Sequence, residues 1–276
     1  GRIIENGFAV EWFGNRLNEV KAEVEMLMAQ FKLSEALKTI YSLIWDDFCS
    51  WYLEWVKPGF EQPVDAAVYQ QTINFFSELM HLLHPFMPFI TEEIYHLLES
   101  RSEDLCIKQS VAAKATDAAV LEKGKLLKDI ITGLRDVRNK QQIKPKETIG
   151  LFIDTRHQQV YTAIEDILSK QVNANSIAFT DVVVADTLST VIGKDKFYIK
   201  TEQPLHKGNQ KSELEKELTH LKGFLMTVEK KLGNEKFVAN AKPEVLALEQ
   251  KKKAESYFNE GYREFIEKNY LRAKAN

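Results

Sequence analysis

The stretch Trp45-Asp46-Asp47-Phe48-Cys49-Ser50-Trp51-Tyr52-Leu53-Glu54 places four aromatic side chains within ten residues. It belongs to an apolar series with steps of three and four, which predicts one amphipathic helix from about Ser34 to Val56. The series is Leu37, Ile40, Tyr41, Ile44, Trp45, Phe48, Tyr52 and Trp55. We expect these rings to lie in the core. Trp51 and Leu53 fall outside the series and indicate a second apolar face on this helix. Either neighbouring helices cover that face, or it is exposed and binds a partner molecule.

Similar series predict helices over residues 8–30 and 66–84. Pro85 and Pro88 cannot both lie inside a regular helix, so the third helix ends at His84 and the fourth begins at Pro88. These helices predict a helical bundle as the first domain, residues 1–115.

The pattern changes after a further helix predicted over about 117–142. Residues 148–154, 176–180, 182–185, 188–192 and 196–200 are β-rich, a short helix is predicted near 160–168, and Gly193-Lys194-Asp195 predicts a hairpin turn. This indicates a small α/β module within a second domain, residues 116–207. It has no glycine-rich phosphate loop and no recognisable pair of catalytic carboxylates.

The last segment, residues 208–276, has a heptad pattern. Its apolar positions are Leu214, Leu218, Leu221, Leu225, Val228 and Leu232. Gly233-Asn234 interrupts the pattern and Pro243 can begin a second helix. We therefore predict an antiparallel two-helix coiled coil, and a mainly α protein overall.

Composition excludes several classes of protein. The chain has 276 residues and no apolar run of the roughly 18 residues that a membrane span needs. Cys49 and Cys106 form neither a disulfide framework nor a zinc ligand set, so we expect no metal and a reducing cytoplasm. His81, His84 and His96 are expected to be structural. The first residue is Gly1 rather than Met, so we expect a fragment carrying a tag remnant.

The net charge of −3 is unevenly distributed. Residues 1–110 carry 8 basic and 17 acidic side chains, a net of −9, whereas residues 111–208 and 209–276 each have a net of +3. Cations cluster at the end of the helix predicted over 117–142: Arg135, Arg138 and Lys140 lie in its C-terminal half, and Lys144 and Lys146 follow around Pro145. They indicate either cations at a helix C-terminus or a basic ridge that faces phosphate. The sequence favours neither interpretation.

Four motifs resemble those of one enzyme family. Trp45–Glu54 resembles the W-x-E/D-F-C-x-W-Y-L-E helix of valyl- and isoleucyl-tRNA synthetases, and Leu83–Tyr95 resembles the LHPFMPFITEEIW corner of class I synthetases, with Tyr95 in place of Trp. Ile131–Ile143 resembles their IRxxRxxxxIxP helix. Lys231–Val245 is similar to the KLSNxxFVxxAPxxVV linker of the valyl-tRNA synthetase coiled-coil arm, with Gly233 in place of Ser.

The resemblance implies a C-terminal, tRNA-binding region of valyl-tRNA synthetase. We expect it to position tRNA(Val) by its anticodon stem-loop and outer corner for ATP-dependent aminoacylation in an N-terminal catalytic domain. No ATP-binding motif of the HIGH or KMSKS type is present, so we expect this chain alone to need no cofactor and to be inactive. We also expect it to be a monomer. An oligomerising coiled-coil module, or the same region of an isoleucyl or leucyl enzyme, stays open as an alternative.

Seven residues are predicted to contact tRNA. By resemblance, Leu53 lies on the anticodon side and Lys252 faces the tRNA corner, flanked by Lys251 and Lys253. We add Lys57 as a phosphate partner. Arg135 and Arg138 complete the set, although their motif could instead hold a domain interface.

Overall fold

The computed structural model describes residues 7–59, 61–201, 219, 222–234, 237–238, 241, 243 and 245–254. These residues form two compact units. The first unit consists of residues up to 134 together with 159–172. The second unit consists of residues 135–158 together with residues from 173 onward. The domain boundaries at residues 115 and 207 stay predictions. Within the described ranges, no helix is both long and apolar enough to cross a bilayer.

The helices of the bundle lie close to where the sequence predicts them. They are α1 (Gly7–Ala29), α2 (Leu33–Ser42), a π-helical segment (Leu43–Tyr52), α3 (Leu53–Val56), α4 (Ala66–Leu83), α5 (Pro88–Leu98) and α6 (Ala118–Lys140), with a 3-10 turn at Leu105–Ile107. Asp65 caps α4 by accepting hydrogen bonds from the backbone N–H groups of Ala67 and Val68. Pro88 occupies the first turn of α5, as predicted.

The run from Leu33 to Val56 is continuous, but its middle is a π-helix. A π-helix bonds each N–H to the carbonyl five residues back, so its buried face advances by more residues per turn than that of an α-helix. The step of five from buried Leu43 to buried Phe48 follows from this geometry. The Ser50 hydroxyl uses the same spacing and donates to the Trp45 carbonyl oxygen at 2.8 Å.

Part of the predicted apolar series is wrong. Tyr41 and Trp45 are 61% and 59% exposed rather than in the core. The predicted series combines residues from two neighbouring faces of the helix, and only one of these faces packs inward. The face that packs inward is Ala36, Ile40, Leu43, Asp47, Phe48, Tyr52 and Trp55.

Aromatic rings form the centre of the bundle. The ring of Phe13 lies 5.1 Å from that of Phe48, 5.0 Å from that of Tyr52 and 5.0 Å from that of Phe75, measured between centroids. Trp12 and Trp55 meet at 4.6 Å. Burial of such large rings is the main favourable contribution to the stability of a core of this kind. The core therefore joins α1, the π-helical segment and α4.

The α/β module contains a four-stranded mixed sheet. Its strands are β1 (Ile149–Asp154), β2 (Ala174–Phe179), β3 (Leu188–Ile192) and β4 (Asp195–Lys200), all in the second unit. Between β1 and β2 the chain forms α7 (Gln158–Thr162) and α8 (Glu165–Val172), whose residues from 159 onward belong to the first unit. The strand order is β2-β1-β4-β3, with β1 and β2 parallel and the other two pairs antiparallel. Gly193, at φ 62°, makes the predicted β3–β4 turn with Lys194.

The strand predicted at residues 182–185 is wrong. Residue 182 is a bend, 183–184 are irregular and 185 begins a turn, and Val182 and Val183 are 64% and 52% exposed. Their β-branched side chains favour a strand, but within the described part of the chain this segment pairs with no strand.

The C-terminal part is helical at residues 222–232 and 245–254. Leu225 and Val228 of the heptad pattern are buried. Lys231 pairs with Glu249 at 3.7 Å and Lys253 with Glu229 at 3.3 Å, so ion pairs connect the two segments. Leu214, Leu218 and Leu221 lie outside the described residues, and the coiled coil stays a prediction.

Candidate nucleic-acid interface

Leu53 and Lys57 lie at the C-terminal end of the long helical run. Leu53 is the half-buried first residue of α3, and Lys57 is exposed, with its Nζ 3.2 Å from Oε1 of Glu54. The last carbonyl groups of a helix lack partners within the helix. Here Gln171 Nε2 donates to the Glu54 carbonyl oxygen at 2.8 Å and Lys170 Nζ to that of Lys57. Side chains from α8 thus fix the backbone that carries Leu53 and Lys57.

An exposed pair of aromatic rings precedes that end. The Tyr41 and Trp45 rings are nearly parallel, with centroids 6.4 Å apart and 11° between their planes. An exposed, ordered ring pair offers a face on which an unstacked base can stack. Sequence reasoning missed this feature because it assigned both residues to the core. Their spacing of four, which puts the two side chains on one face of the helix, was the available signal.

Several cations of the first unit are engaged within the protein. The buried carboxylate of Asp47 accepts from Arg16 Nε at 2.8 Å and from Lys128 Nζ at 3.0 Å. Burial opposes the charge on Arg16, but its interactions with Asp47 and Glu19 together outweigh that effect and raise the pKa of the guanidinium. Lys21 and Lys108 both pair with Glu78, at 3.0 and 3.3 Å. These cations stabilise the fold and are not placed to meet an external phosphate.

A second charged cluster lies at the end of α5. One ligand atom each from Glu92, His96 and Asp104 falls within 4.8 Å of the others, a spacing that a divalent ion could use. The Glu92 carboxylate also accepts from the backbone N–H groups of Leu105 at 2.6 Å and Cys106 at 3.2 Å. Burial raises the pKa of Glu92, but these two hydrogen bonds and the nearby His84 and His96 together outweigh burial and lower the pKa. The Glu92 carboxylate thereby anchors the 3-10 turn.

Arg135 and Arg138 differ in their surroundings. Arg135 is exposed. Arg138 is 5% exposed, and its Nη2 donates to the carbonyl oxygens of Lys144 at 2.6 Å, Pro145 at 3.3 Å and Glu147 at 2.6 Å. Burial lowers the pKa of the Arg138 guanidinium, partly offset by the Glu147 carboxylate. Arg138 thus holds the loop that follows α6.

The three predicted lysines of the C-terminal part also differ. Lys251 is exposed. Lys252 Nζ lies 2.9 Å from Glu249 Oε1, and Lys253 Nζ lies 3.3 Å from Glu229 Oε1. Glu249 is buried, and its Oε2 has no hydrogen-bond partner among the described residues. Two of the three charges are therefore partly neutralised within the protein. The structure brings Leu53 and Lys57 together in the first unit, and the other five predicted residues belong to the second.

The sequence matches one known protein family and several curated relatives. The family of anticodon-binding domains of tRNA ligases matches residues 10–153, a little over half of the chain. A valine–tRNA ligase of Parabacteroides distasonis is 38% identical over 253 residues, which is 91% of this chain and 29% of the relative.

Two further valine–tRNA ligases show the same coverage. That of Porphyromonas gingivalis is 40% identical over 255 residues (91% of this chain, 28% of the relative), and that of Francisella tularensis is 31% identical over 279 residues (96% and 30%). The chain thus spans less than a third of the length of the curated relatives it matches. The match covers the helical bundle, the helix α6 and nearly all of strand β1. The chain therefore belongs to the family of anticodon-binding domains of tRNA ligases.

Proposed function

We propose that this chain is the tRNA-binding part of a valine–tRNA ligase. It binds tRNA(Val) by the anticodon stem-loop and the outer corner, and holds the 3′ end for ATP-dependent aminoacylation by a catalytic domain of the longer protein. The observation that carries the proposal is the match of the anticodon-binding family to residues 10–153, in a chain similar over 91% of its length to valine–tRNA ligases.

The first unit supplies the surface for the anticodon loop in this proposal. Bases of an RNA loop are unstacked and are recognised by stacking and by contacts to their edges. The exposed Tyr41 and Trp45 rings offer the stacking face. Leu53 lies further along the same helical run, and exposed Lys57 follows it as a phosphate partner.

The second unit supplies cations for the RNA backbone. Lys251 is exposed and meets phosphate directly, with Lys252 and Lys253 beside it. Arg135 is an exposed candidate for the same role. Arg138 acts through the loop that it holds, because its Nη2 is occupied by carbonyl oxygens.

Charge explains why both regions are needed. Residues 1–110 have a net charge of −9, and four of the first unit's cations pair with Asp47 or Glu78. Phosphate contacts contribute much of the affinity of proteins for nucleic acids, so the bundle alone binds RNA weakly. In this proposal the more basic remainder of the chain attracts the RNA backbone. Stacking of anticodon bases on the bundle then adds selectivity.

The rest of the proposal concerns the state of the protein. The chain acts as a monomer in the cytoplasm, where tRNA is charged, and forms an interface with the N-terminal catalytic domain. It holds no cofactor itself and does not activate valine alone, since ATP belongs to the catalytic domain.

The experiment is a binding titration of this chain at low salt with three RNAs: a valine tRNA, the same tRNA with its anticodon replaced, and an isoleucine tRNA. We expect the valine tRNA to bind most tightly and the preference to disappear with the anticodon. Equal binding of all three would contradict anticodon recognition and leave a binder of shape and charge. A concentration-dependent dimer without RNA binding would favour an oligomerisation module instead.

A further inference from the structure

We propose that the loop of residues 144–147 is a preformed phosphate-binding loop, in which Lys144 and Lys146 contact the RNA backbone while Arg138 and Asn173 fix its shape. The ligand class, a phosphodiester backbone, rests on the proposed function. The loop itself is defined by hydrogen bonds on two sides.

Arg138 holds the loop from one side. A buried guanidinium requires acceptors, and buried carbonyl groups require donors. The three carbonyl oxygens of residues 144, 145 and 147 satisfy both needs at once, at 2.6, 3.3 and 2.6 Å from Arg138 Nη2. The chain then continues to β1 through Ile149, whose side chain is 1% exposed.

Asn173 holds the loop from the other side. Its Nδ2 donates to the carbonyl oxygens of Pro145 at 3.4 Å, Lys146 at 3.0 Å and Glu147 at 3.1 Å. Its backbone has φ 53°, a left-handed conformation that asparagine tolerates better than most residues. Its own carbonyl oxygen accepts from Ile149 N at 3.1 Å, which joins the start of β2 to the start of β1. All four carbonyl groups of the loop are thus bound by two side chains.

Lys144 and Lys146 lie on the solvent-exposed side of this loop. Lys144, Pro145 and Lys146 are exposed, whereas Glu147 is half-buried and its carboxylate acts on Arg138. No ion pair of Lys144 or Lys146 occurs among the residues that the structure describes. Pro145 also fixes its own φ, which further limits the loop.

A rigid loop favours binding of a polyanion. Ordering of loops and side chains opposes association, so a backbone that is already fixed loses less freedom when it binds. Each lysine that neutralises a phosphate releases condensed counterions and adds about 0.7 to 0.9 to the log–log slope of affinity against salt. Two adjacent contacts therefore predict a change of about 1.4 to 1.8 in that slope.

The first test removes the charges. A Lys144→Gln/Lys146→Gln double variant is titrated with valine tRNA between 50 and 200 mM salt. The matched control is Lys194→Gln/Lys200→Gln, which removes two exposed lysines elsewhere in the second unit. We expect the first variant to bind roughly tenfold more weakly and to lose about 1.4 to 1.8 of slope, and the control to lose much less.

The second test loosens the loop but keeps its lysines. Asn173→Gly retains the positive φ and removes the side chain that binds three carbonyl groups. We expect weaker RNA binding with an unchanged salt slope, because the number of phosphate contacts stays the same. Arg138→Lys, which keeps the charge but loses the planar donor geometry, should weaken binding in the same way. Folding of each variant is checked by its thermal midpoint.

The outcomes separate the two proposals. If the unmodified chain binds no tRNA at low salt, the proposed function fails and the loop has no ligand. If the chain binds but the double variant matches its control, the proposed function stands and the loop inference is overturned. If the double variant loses slope while Asn173→Gly and Arg138→Lys bind like the unmodified chain, the lysines bind phosphate but the preformed shape is refuted.

Discussion

A β-carbon on Gly124 would lie 2.1 Å from Cδ1 of Trp12, so the backbone of α6 passes directly against the indole of α1. Only a residue without a side chain allows this approach. The same indole contacts Trp55 at 4.6 Å, and Lys128 lies over its ring at 5.1 Å. Trp12 therefore joins α6 to the aromatic core of the bundle.

This contact predicts that Gly124→Ala destabilises the protein. The added methyl group must displace a ring that is 1% exposed, and overpacking of this kind costs about 1 to 3 kcal/mol. Gly14→Ala in α1 is the control, since its β-carbon would make an ordinary 3.6 Å contact with Phe75. Urea unfolding should show a loss of free energy for the first variant and no loss for the second. Equal stabilities would contradict the close contact.

The buried carboxylate of Asp47 predicts a second difference in stability. Asp47→Asn removes the carboxylate that Arg16 and Lys128 share, and leaves Arg16 paired with Glu19 alone among the described residues. We expect a loss of about 1 to 3 kcal/mol because both cations stay partly solvated. The neighbouring Asp46 is exposed, and its partner among the described residues is the Ser42 hydroxyl, at 2.7 Å. Asp46→Asn should change the free energy of unfolding by less than about 0.5 kcal/mol. Similar losses in the two variants would show that the Asp47 network is not specific.

The surroundings of Glu78 and His81 predict a loss of stability in acid. Burial lowers the pKa of His81 below 6.5, and the nearby Lys108 cation adds to the effect. The unfolded state then binds more protons, so the free energy of unfolding falls as the pH drops below 6.5 toward the folded pKa. Burial raises the pKa of Glu78, but Lys21 and Lys108 outweigh it and lower the pKa below 4.5. The contribution of Glu78 is therefore present above pH 4.5 and is lost as the pH falls through its folded pKa.

Urea unfolding from pH 7.5 to 4 measures this dependence. His81→Gln should flatten the curve only just below pH 6.5, and Glu78→Gln only below pH 4.5. A curve that His81→Gln leaves unchanged would show that this histidine does not contribute.

The exposed ring pair predicts an effect on RNA binding. Trp45→Ala removes a stacking face worth about 1 to 3 kcal/mol per base, so affinity for valine tRNA should fall between about five- and 150-fold. Because Trp45 is 59% exposed, the thermal midpoint should change little. Tyr69→Ala is the control, since that ring is 56% exposed on α4. Equal affinity of the two variants would remove Trp45 from the interface.

The lysines of the C-terminal part predict a change in salt dependence. Replacing Lys251, Lys252 and Lys253 with Ala should weaken tRNA binding and reduce the log–log slope by up to about 2. Lys252 and Lys253 already pair with glutamates, so Lys251→Ala should account for the largest single share. An unchanged slope in the triple variant would exclude this region from contact with RNA.

The sequence by itself determined the bundle helices, the Pro85–Pro88 corner, the β3–β4 turn and the family. These features depend on local periodicity, on the positions of proline and glycine, and on motifs of adjacent residues. All of these signals are contained in the sequence alone. The tertiary structure alone decided which of two adjacent helical faces packs inward, and so exposed Tyr41 and Trp45. It also placed Arg138 beneath a loop whose carbonyl groups Asn173, 35 residues further along the chain, binds as well. Residues far apart in sequence become buried against each other and hydrogen-bonded only when the chain packs. In this protein that packing shows that Arg138 supports the loop from beneath and does not lie on the exposed surface of the loop.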